Sequence, residues 1–258
     1  MSTFGITYLG GPTAVIEYGG LRLLVDPTFD PPREFPVGNR VLTKTVGPAL
    51  SAAEVGPVDA VLLSHDQHPD NLDEAGRAVA LAAPVVLSTG SAEQRLGGPV
   101  RALPNWERVT LPRPVGGGDE VVVTGVPAQH GPDGSEPLVG EVIGFVLSGA
   151  GLPTVYVSGD NASLDVVRTI VERVGEVDIA VLFAGAARTP LIPDAPLTLT
   201  SADAARAAAL LGARHVVPLH FEHWAHFSED GDSLVAAFEA AGLVHRLHRL
   251  APGGHLAL

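Results

Sequence analysis

Apolar runs in this sequence repeatedly stop at a group able to hold a metal ion: "LLVDP" at Asp26, "LLSHDQHPD" at His65, "VPAQHG" at His130, "VYVSGD" at Asp160 and "VVPLH" at His220. Neutral imidazole and carboxylate suit zinc, iron or manganese. A single His at a strand end is ordinarily a hydrogen-bonded loop residue. Five coincident strand ends, three of them His, point instead to a metal site. Two of the runs carry further donors, since His68, Asp70 and Asn71 follow His65, and His223 and His226 follow His220. Such a centre can turn bound water into hydroxide near neutral pH and polarise the oxygen of an ester, lactone or phosphodiester.

The elements that must position these groups are legible in the hydrophobic pattern. Strand-like runs such as "TAVIEY", "VDAVLLS", "PVVLS", "EVVVTGV", "TVYVSG" and "VDIAVLF" are β-branched, almost wholly apolar and bounded by Gly, Pro or Asn. Apolar residues at three-to-four spacing predict helices over 71–81, 164–174, 200–211 and 232–241. The class is therefore α/β, with at least part of the sheet buried on both faces. "GITYLGGPTAVIEYGGLRLLVDP" predicts a tight β-meander, the later half alternates strands and helices, and Val-Asp followed by an apolar run recurs at Val58 and Val177 as a faint internal echo. The stretches 33–51 and 131–137 read as long loops able to overhang a site, and "VGGGDE" as a hairpin turn.

Composition narrows the functional classes. The 258 residues carry a formal charge of −13, with one lysine among 16 basic residues, so no basic stripe exists to neutralise a nucleic-acid backbone. The absence of cysteine excludes disulfides, thiolate metal sites and a cysteine nucleophile. Neither a G-x-S-x-G elbow nor a phosphate-binding G-x-x-x-x-G-K-S/T loop is present. No segment approaches ~20 uninterrupted apolar residues, and the N-terminus lacks a basic region followed by an apolar run. The expectation is a cytoplasmic protein that meets no membrane, acts on a small-molecule substrate and is free to form a homo-oligomer.

In this order the motifs resemble those of the metallo-β-lactamase fold hydrolases, over almost the whole chain, and most closely the branch related to ascorbate-6-phosphate lactonase. The resemblance implies one domain over 1–258, a four-layer αββα sandwich, and a hydrolase with one or two divalent metal ions, zinc or manganese. It also implies the ligand sets: His65, His68 and His130 for the first metal, Asp70 and His220 for the second, with Asp160 bridging. Asp70 would orient the attacking hydroxide and later help protonate the leaving group.

The family pattern H-x-H-x-D-H is not matched letter for letter. Registered on His65, Gln67 replaces the second His; registered on His68-Pro69-Asp70-Asn71, Asn71 replaces the last His and one residue is inserted after His65. The second register keeps three of four ligand types and places the insertion in a loop, with Pro69, Asp70, Asp73 and Glu74 favouring a helix that starts near Asn71. On that register Gln67 points away from the metals, and Asn71→His should raise affinity for the second. Asn71, His223, Trp224 and His226 are expected to face substrate at the pocket entrance, and His215, His245, His248 and His255 to be surface or structural. The missing family His motivates one alternative, a non-catalytic metal- or ligand-binding descendant of the fold.

Overall fold

A computed structural model describes residues 4–38, 40–114 and 120–258. The chain opens with β1 (Phe4–Gly10), β2 (Thr13–Tyr18) and β3 (Leu21–Val25), then β4 (Arg33–Val37), β5 (Arg40–Lys44), α1 (Ala52–Val55), β6 (Ala60–Leu62), α2 (Glu74–Ala82), β7 (Val86–Ser88), α3 (Gly90–Leu96) and β8 (Val100–Ala102). It continues with β9 (Arg108–Pro112), β10 (Glu120–Pro127), α4 (Glu136–Val139), β11 (Ile143–Gly149), β12 (Val155–Val157), α5 (Leu164–Val174), β13 (Ile179–Phe183), α6 (Ser201–Leu210), β14 (His215–Leu219), α7 (Gly231–Ala240) and β15 (His255–Ala257).

Two sheets form, β15-β1-β2-β3-β6-β7-β8 and β14-β13-β12-β11-β10-β9, with β4-β5 a separate hairpin. Strand alternation decides what each face buries. In the first sheet Ile16, Leu23, Leu62 and Leu87 join the core shared with the second sheet, whereas Val15, Leu24, Val61 and Val86 form an outer cluster with Leu72, Ala80 and Ala92 under α2 and α3. In the second sheet the shared core runs on through Val167, Ile170, Ala204, Leu234 and Phe238 of α5, α6 and α7. The layers are α, β, β, α: this is the metallo-β-lactamase fold.

Helices α5, α6 and α7 lie within a residue of the apolar periodicity, started by Ser163, Thr200 and Asp230 side chains that accept backbone N–H bonds. α2 does not begin near Asn71. Asp73 is its N-cap, accepting from Gly76 N, so Asp70 and Asn71 lie in the preceding loop, free of helical geometry. The stretch 33–51 is not a plain loop either: it carries β4 and β5, and Gly38-Asn39 between them is a sequence signal for a tight turn. The 131–137 loop runs directly into α4. The "VGGGDE" turn falls largely outside the described residues. The internal echo has a structural counterpart, because Asp59 accepts from Arg22 N and Asp178 from Thr154 N, each tying the strand that follows it to its parallel neighbour.

The register brings the five marked strand ends to one rim. β3 and β6 are parallel, β12, β13 and β14 are parallel, and β10, two antiparallel steps from β12, runs the same way. Backbone bonds cross between the sheets there, from Ile143 N to Ser64 O at 3.1 Å and from His220 N to Gly11 O at 2.7 Å. Gly159 is needed at this seam: its φ is +55°, and a Cβ would lie 2.6 Å from Ile143 O and 2.9 Å from Ser64 Cβ.

Candidate metal centre

Strand ends deliver the donors in unusual backbone conformations. Asp26 after β3 and His220 after β14 have φ of +34° and +58°, a region that costs a non-glycine residue and that collects at functional sites. Both are fully buried, as are His65, Asp70, His130 and Asp160 to within a few per cent.

Three imidazoles converge first. His65 Nε2 lies 2.9 Å and His130 Nε2 3.3 Å from His68 Nδ1. The far nitrogens settle which atoms carry protons: His130 Nδ1 donates to Leu197 O at 3.0 Å, and His65 Nδ1 is 3.0 Å from Ser64 Oγ, whose own proton goes to Asp26 Oδ2 at 2.6 Å. Both Nε2 atoms are therefore lone pairs aimed at His68 Nδ1, and one proton there could satisfy only one of them. A cation fits this arrangement. Donor atoms ~3.3 Å apart are also what tetrahedral zinc with ~2.05 Å bonds requires.

A second group stands beside it. Asp70 Oδ2 is 3.1 Å from His220 Nε2 and 3.0 Å from His226 Nε2. Asp160 lies between the groups, Oδ2 3.7 Å from His130 Nε2 and Oδ1 3.8 Å from His220 Nε2. Asp70 Oδ1 and Asp160 Oδ2 are buried without a hydrogen-bond partner, as suits carboxylates placed to face a cation.

Electrostatics agree. Burial, then the competing imidazole of His68, pushes His130 down to about 3; burial also lowers His65, His68 and His220. These imidazoles are neutral, the state that ligates. Burial and the neighbouring Asp70 and Asp26 charges raise Asp160 well above the carboxylate range, and burial lifts Asp26 to about 7 against hydrogen bonds from Ser64 and Asn71. Asp70 goes the other way: burial pushes it up, but the imidazoles of His226 and His220 outweigh that and hold it well below its ordinary value.

The structure thus brings together His65, His68, Asp70, His130, Asp160 and His220, and adds His226, which the sequence reading left at the pocket entrance. Three other residues expected to face substrate do not. Asn71 is fully buried, its Nδ2 donating to Asp26 Oδ2 and Asp160 Oδ1 at 3.0 Å each, so it fixes carboxylates and meets no substrate. The His223 ring packs on Gly10 and its carbonyl accepts from Thr45 N. Trp224 is buried against Phe35, ring centroids 5.3 Å apart, with Lys44 over its face. Gln67 packs against Gly140. His215 pairs with His248, and His255 with Thr7, away from this centre.

A cavity of about 20 Å³ separates the donors from the covering segments, room for about one water. His68, Asp70, His130, Asp160 and His226 form its floor; Arg40 and Leu42 of β5, Val139 of α4, and the 187–197 segment close it. A cleft of about 820 Å³ opens alongside and shares His130.

Comparison with known proteins agrees with this geometry. The β-lactamase superfamily domain matches residues 21–221, a span holding the whole donor set except His226. The chain belongs to that family. A UPF0173 metal-dependent hydrolase of Pyrobaculum calidifontis is 30% identical over 258 residues, covering 98% of this chain and 99% of its own. Among solved structures, an isothiocyanate hydrolase from Delia radicum gut bacteria superposes with TM-score 0.81 at 20% identity over 98% of both chains. A metallo hydrolase of Ignicoccus hospitalis gives 0.71 at 21%, over 99% of this chain and 98% of its own. Family members of this kind are named metal-dependent hydrolases. No helix among the described residues is long and apolar enough to cross a membrane.

Proposed function

We propose that the chain hydrolyses a small ester, lactone or phosphodiester at a centre of two divalent metal ions. The observation that carries this reading is the pair of donor groups with Asp160 between them. His65, His68 and His130 would hold one ion and Asp70, His220 and His226 the other, with Asp160 shared. Bound there, such ions lower the pKa of water and polarise the electrophile's oxygen. Asp70 uses Oδ2 against two imidazoles, which leaves Oδ1 to take the proton of the attacking water and hand it to the leaving group. Ser64 and the Leu197 carbonyl fix the tautomers of His65 and His130, and Asn71 holds Asp160 in place.

Five imidazoles against two carboxylates favour zinc over manganese. The case for a non-catalytic descendant weakens too, because it rested on Asn71 replacing a His, and His226 supplies that imidazole. The likeness to ascorbate-6-phosphate lactonase-like proteins puts a lactone in the test panel beside a nitrophenyl ester and a nitrophenyl phosphodiester. The expected result is about two equivalents of metal, turnover of at least one panel member, loss on chelation and recovery with zinc. Metal bound at full stoichiometry with no turnover of any member would favour the binding descendant.

A further inference from the structure

Nine of the fifteen arginines in this acidic chain have a carboxylate or carbonyl partner among the described residues, and Arg40 and Arg188 are two of the six that do not. Arg95 pairs with Asp66, Arg206 with Asp203 and Arg249 with Asp232, while Arg22 donates to the carbonyls of Val55 and Pro57. The two that line the metal cavity, Arg40 and Arg188, have no carboxylate within ion-pair distance among the described residues, although the chain has 29 acidic side chains to 16 basic ones. Each guanidinium offers five N–H donors. Arg40 commits one to Thr189 Oγ1, and Arg188 makes a single long contact, 3.5 Å from Ser228 Oγ. Most donors in the pair are uncommitted.

Their placement is built into the fold. Arg40 opens β5 and reaches across the cavity to Thr189, the residue after Arg188. Arg188 is held beside the floor by its backbone N–H, which donates to His226 O at 3.0 Å, and by the bridge between Ala187 and Phe227. Arg40 is half-buried and close enough to bear electrostatically on His68, whereas Arg188 is exposed at the rim. The two cations thus line one cavity together with the donor set, where planar guanidinium forks match carboxylate or phosphate oxygens.

We infer that Arg40 and Arg188 select a substrate carrying an oxyanion, a carboxylate or a phosphate group, placed beside the scissile bond. The inference rests on the metallo-hydrolase reading of the centre and names the substrate class that centre takes. Docking of the anion replaces the Arg40 bond to Thr189, so the group that recognises substrate also loosens the contact closing the cavity.

The test uses the metal-loaded full chain and two readouts. In the first, nitrophenyl acetate, nitrophenyl hemisuccinate and bis-nitrophenyl phosphate are compared in wild type, Arg40→Gln, Arg188→Gln and Arg40→Lys, with the exposed Arg206→Gln as control. Wild type should prefer the anionic acyl ester over the neutral one. Each Gln variant should lose about 10–100-fold in kcat/KM on the anionic esters, as expected for lost charge-assisted bonds, and clearly less on the acetate. Arg40→Lys should recover part of the loss, and Arg206→Gln should match wild type.

In the second readout, inorganic phosphate is titrated calorimetrically into the metal-loaded chain. Wild type should bind at least 10-fold more tightly than the Arg40→Gln, Arg188→Gln double variant. Equal phosphate affinity in the two, or equal losses on neutral and anionic esters, overturns the inference and leaves the hydrolase reading intact. Failure to turn over any ester, with phosphate binding still dependent on the arginines, would sink the hydrolase reading and keep the anion site.

Discussion

His226→Ala separates the metal centre as built here from the pocket-entrance role suggested by sequence spacing. His226 Nε2 is 3.0 Å from Asp70 Oδ2, the oxygen that also faces His220. Its removal leaves the second group with Asp70, His220 and the shared Asp160. Partners outside the ligand set typically change metal affinity 10–100-fold, so losing a direct donor should cost about 100-fold or more, ~2.7 kcal/mol. The first group, His65, His68 and His130, should be unaffected. Apo-protein is titrated with zinc against a chromophoric chelator: wild type should take up two equivalents, and His226→Ala one tight and one much weaker. His223→Ala, whose ring packs on Gly10, should retain both tight sites. Two tight equivalents in His226→Ala would show that this imidazole is no ligand and that the second group has been drawn wrongly.

Other expectations follow from the same wiring. Asn71→His restores the letter of the family pattern, yet it should weaken metal binding and cost about 1–3 kcal/mol of stability, because one buried amide now serves both Asp26 and Asp160; zinc titration and denaturant melts would check it, and tighter binding would refute it. Lys44→Met strips a buried Nζ 2.9 Å from Asp73 Oδ2 and should cost about 3 kcal/mol, softened by the three backbone N–H groups that also bond Asp73; a loss under ~1 kcal/mol would count against it. In apo-protein, His130 titrates at about 3 in the fold against ~6.5 unfolded, so its contribution is complete above ~6.5 and drains as pH falls towards 3. Burial-raised Asp26 and Asp160 act in the opposite sense as pH falls, so the check is a comparison: between pH 6.5 and 4 chelated wild type should lose stability faster than chelated His130→Gln, by ~1.4 kcal/mol per pH unit, and equal slopes would contradict a buried neutral His130.

Strand positions were legible because two-sided burial writes long apolar runs, and the ligands were legible because each run ends abruptly in a polar group. Helices α5, α6 and α7 were equally clear. What sequence spacing could not convey was direction. His220, His223 and His226 at intervals of three suggest one helical face, but left-handed φ values at His220 and His223, +58° and +73°, fold the segment into a turn. That turn aims His220 and His226 at Asp70 and sends His223 the other way. Asn71 misled for a related reason: its amide looks like a substrate contact until the burial of its two carboxylate partners is known. The β4-β5 hairpin had a turn signal in Gly38-Asn39, whereas nothing local marked Arg40 and Arg188 as lining one cavity, since that depends on Arg40 reaching Thr189, 149 residues away.

On the register that keeps His68, the extra residue after His65 goes with a change of donor atom. In H-x-H spacing the two imidazoles stand two residues apart; here they are three apart, and His68 meets His65 Nε2 and His130 Nε2 with Nδ1, the nitrogen nearer the backbone. His68 thus reaches the other two imidazoles with the nitrogen nearer its own main chain. Gln67, the extra residue, is then free to pack on Gly140 rather than compete for the site. The same economy explains the far end of the motif. With Asn71 committed to Asp26 and Asp160, the second group draws its imidazole from His226, more than 150 residues away in sequence and 3.0 Å from Asp70 in space. Departures at both ends of one short motif are thus answered by atoms already at the rim, and Gln67→His, which restores H-x-H spacing in the other register, should leave zinc affinity nearly unchanged because its side chain is directed at Gly140. A large affinity gain in that variant would mean that residue 67, and not His68, belongs among the ligands.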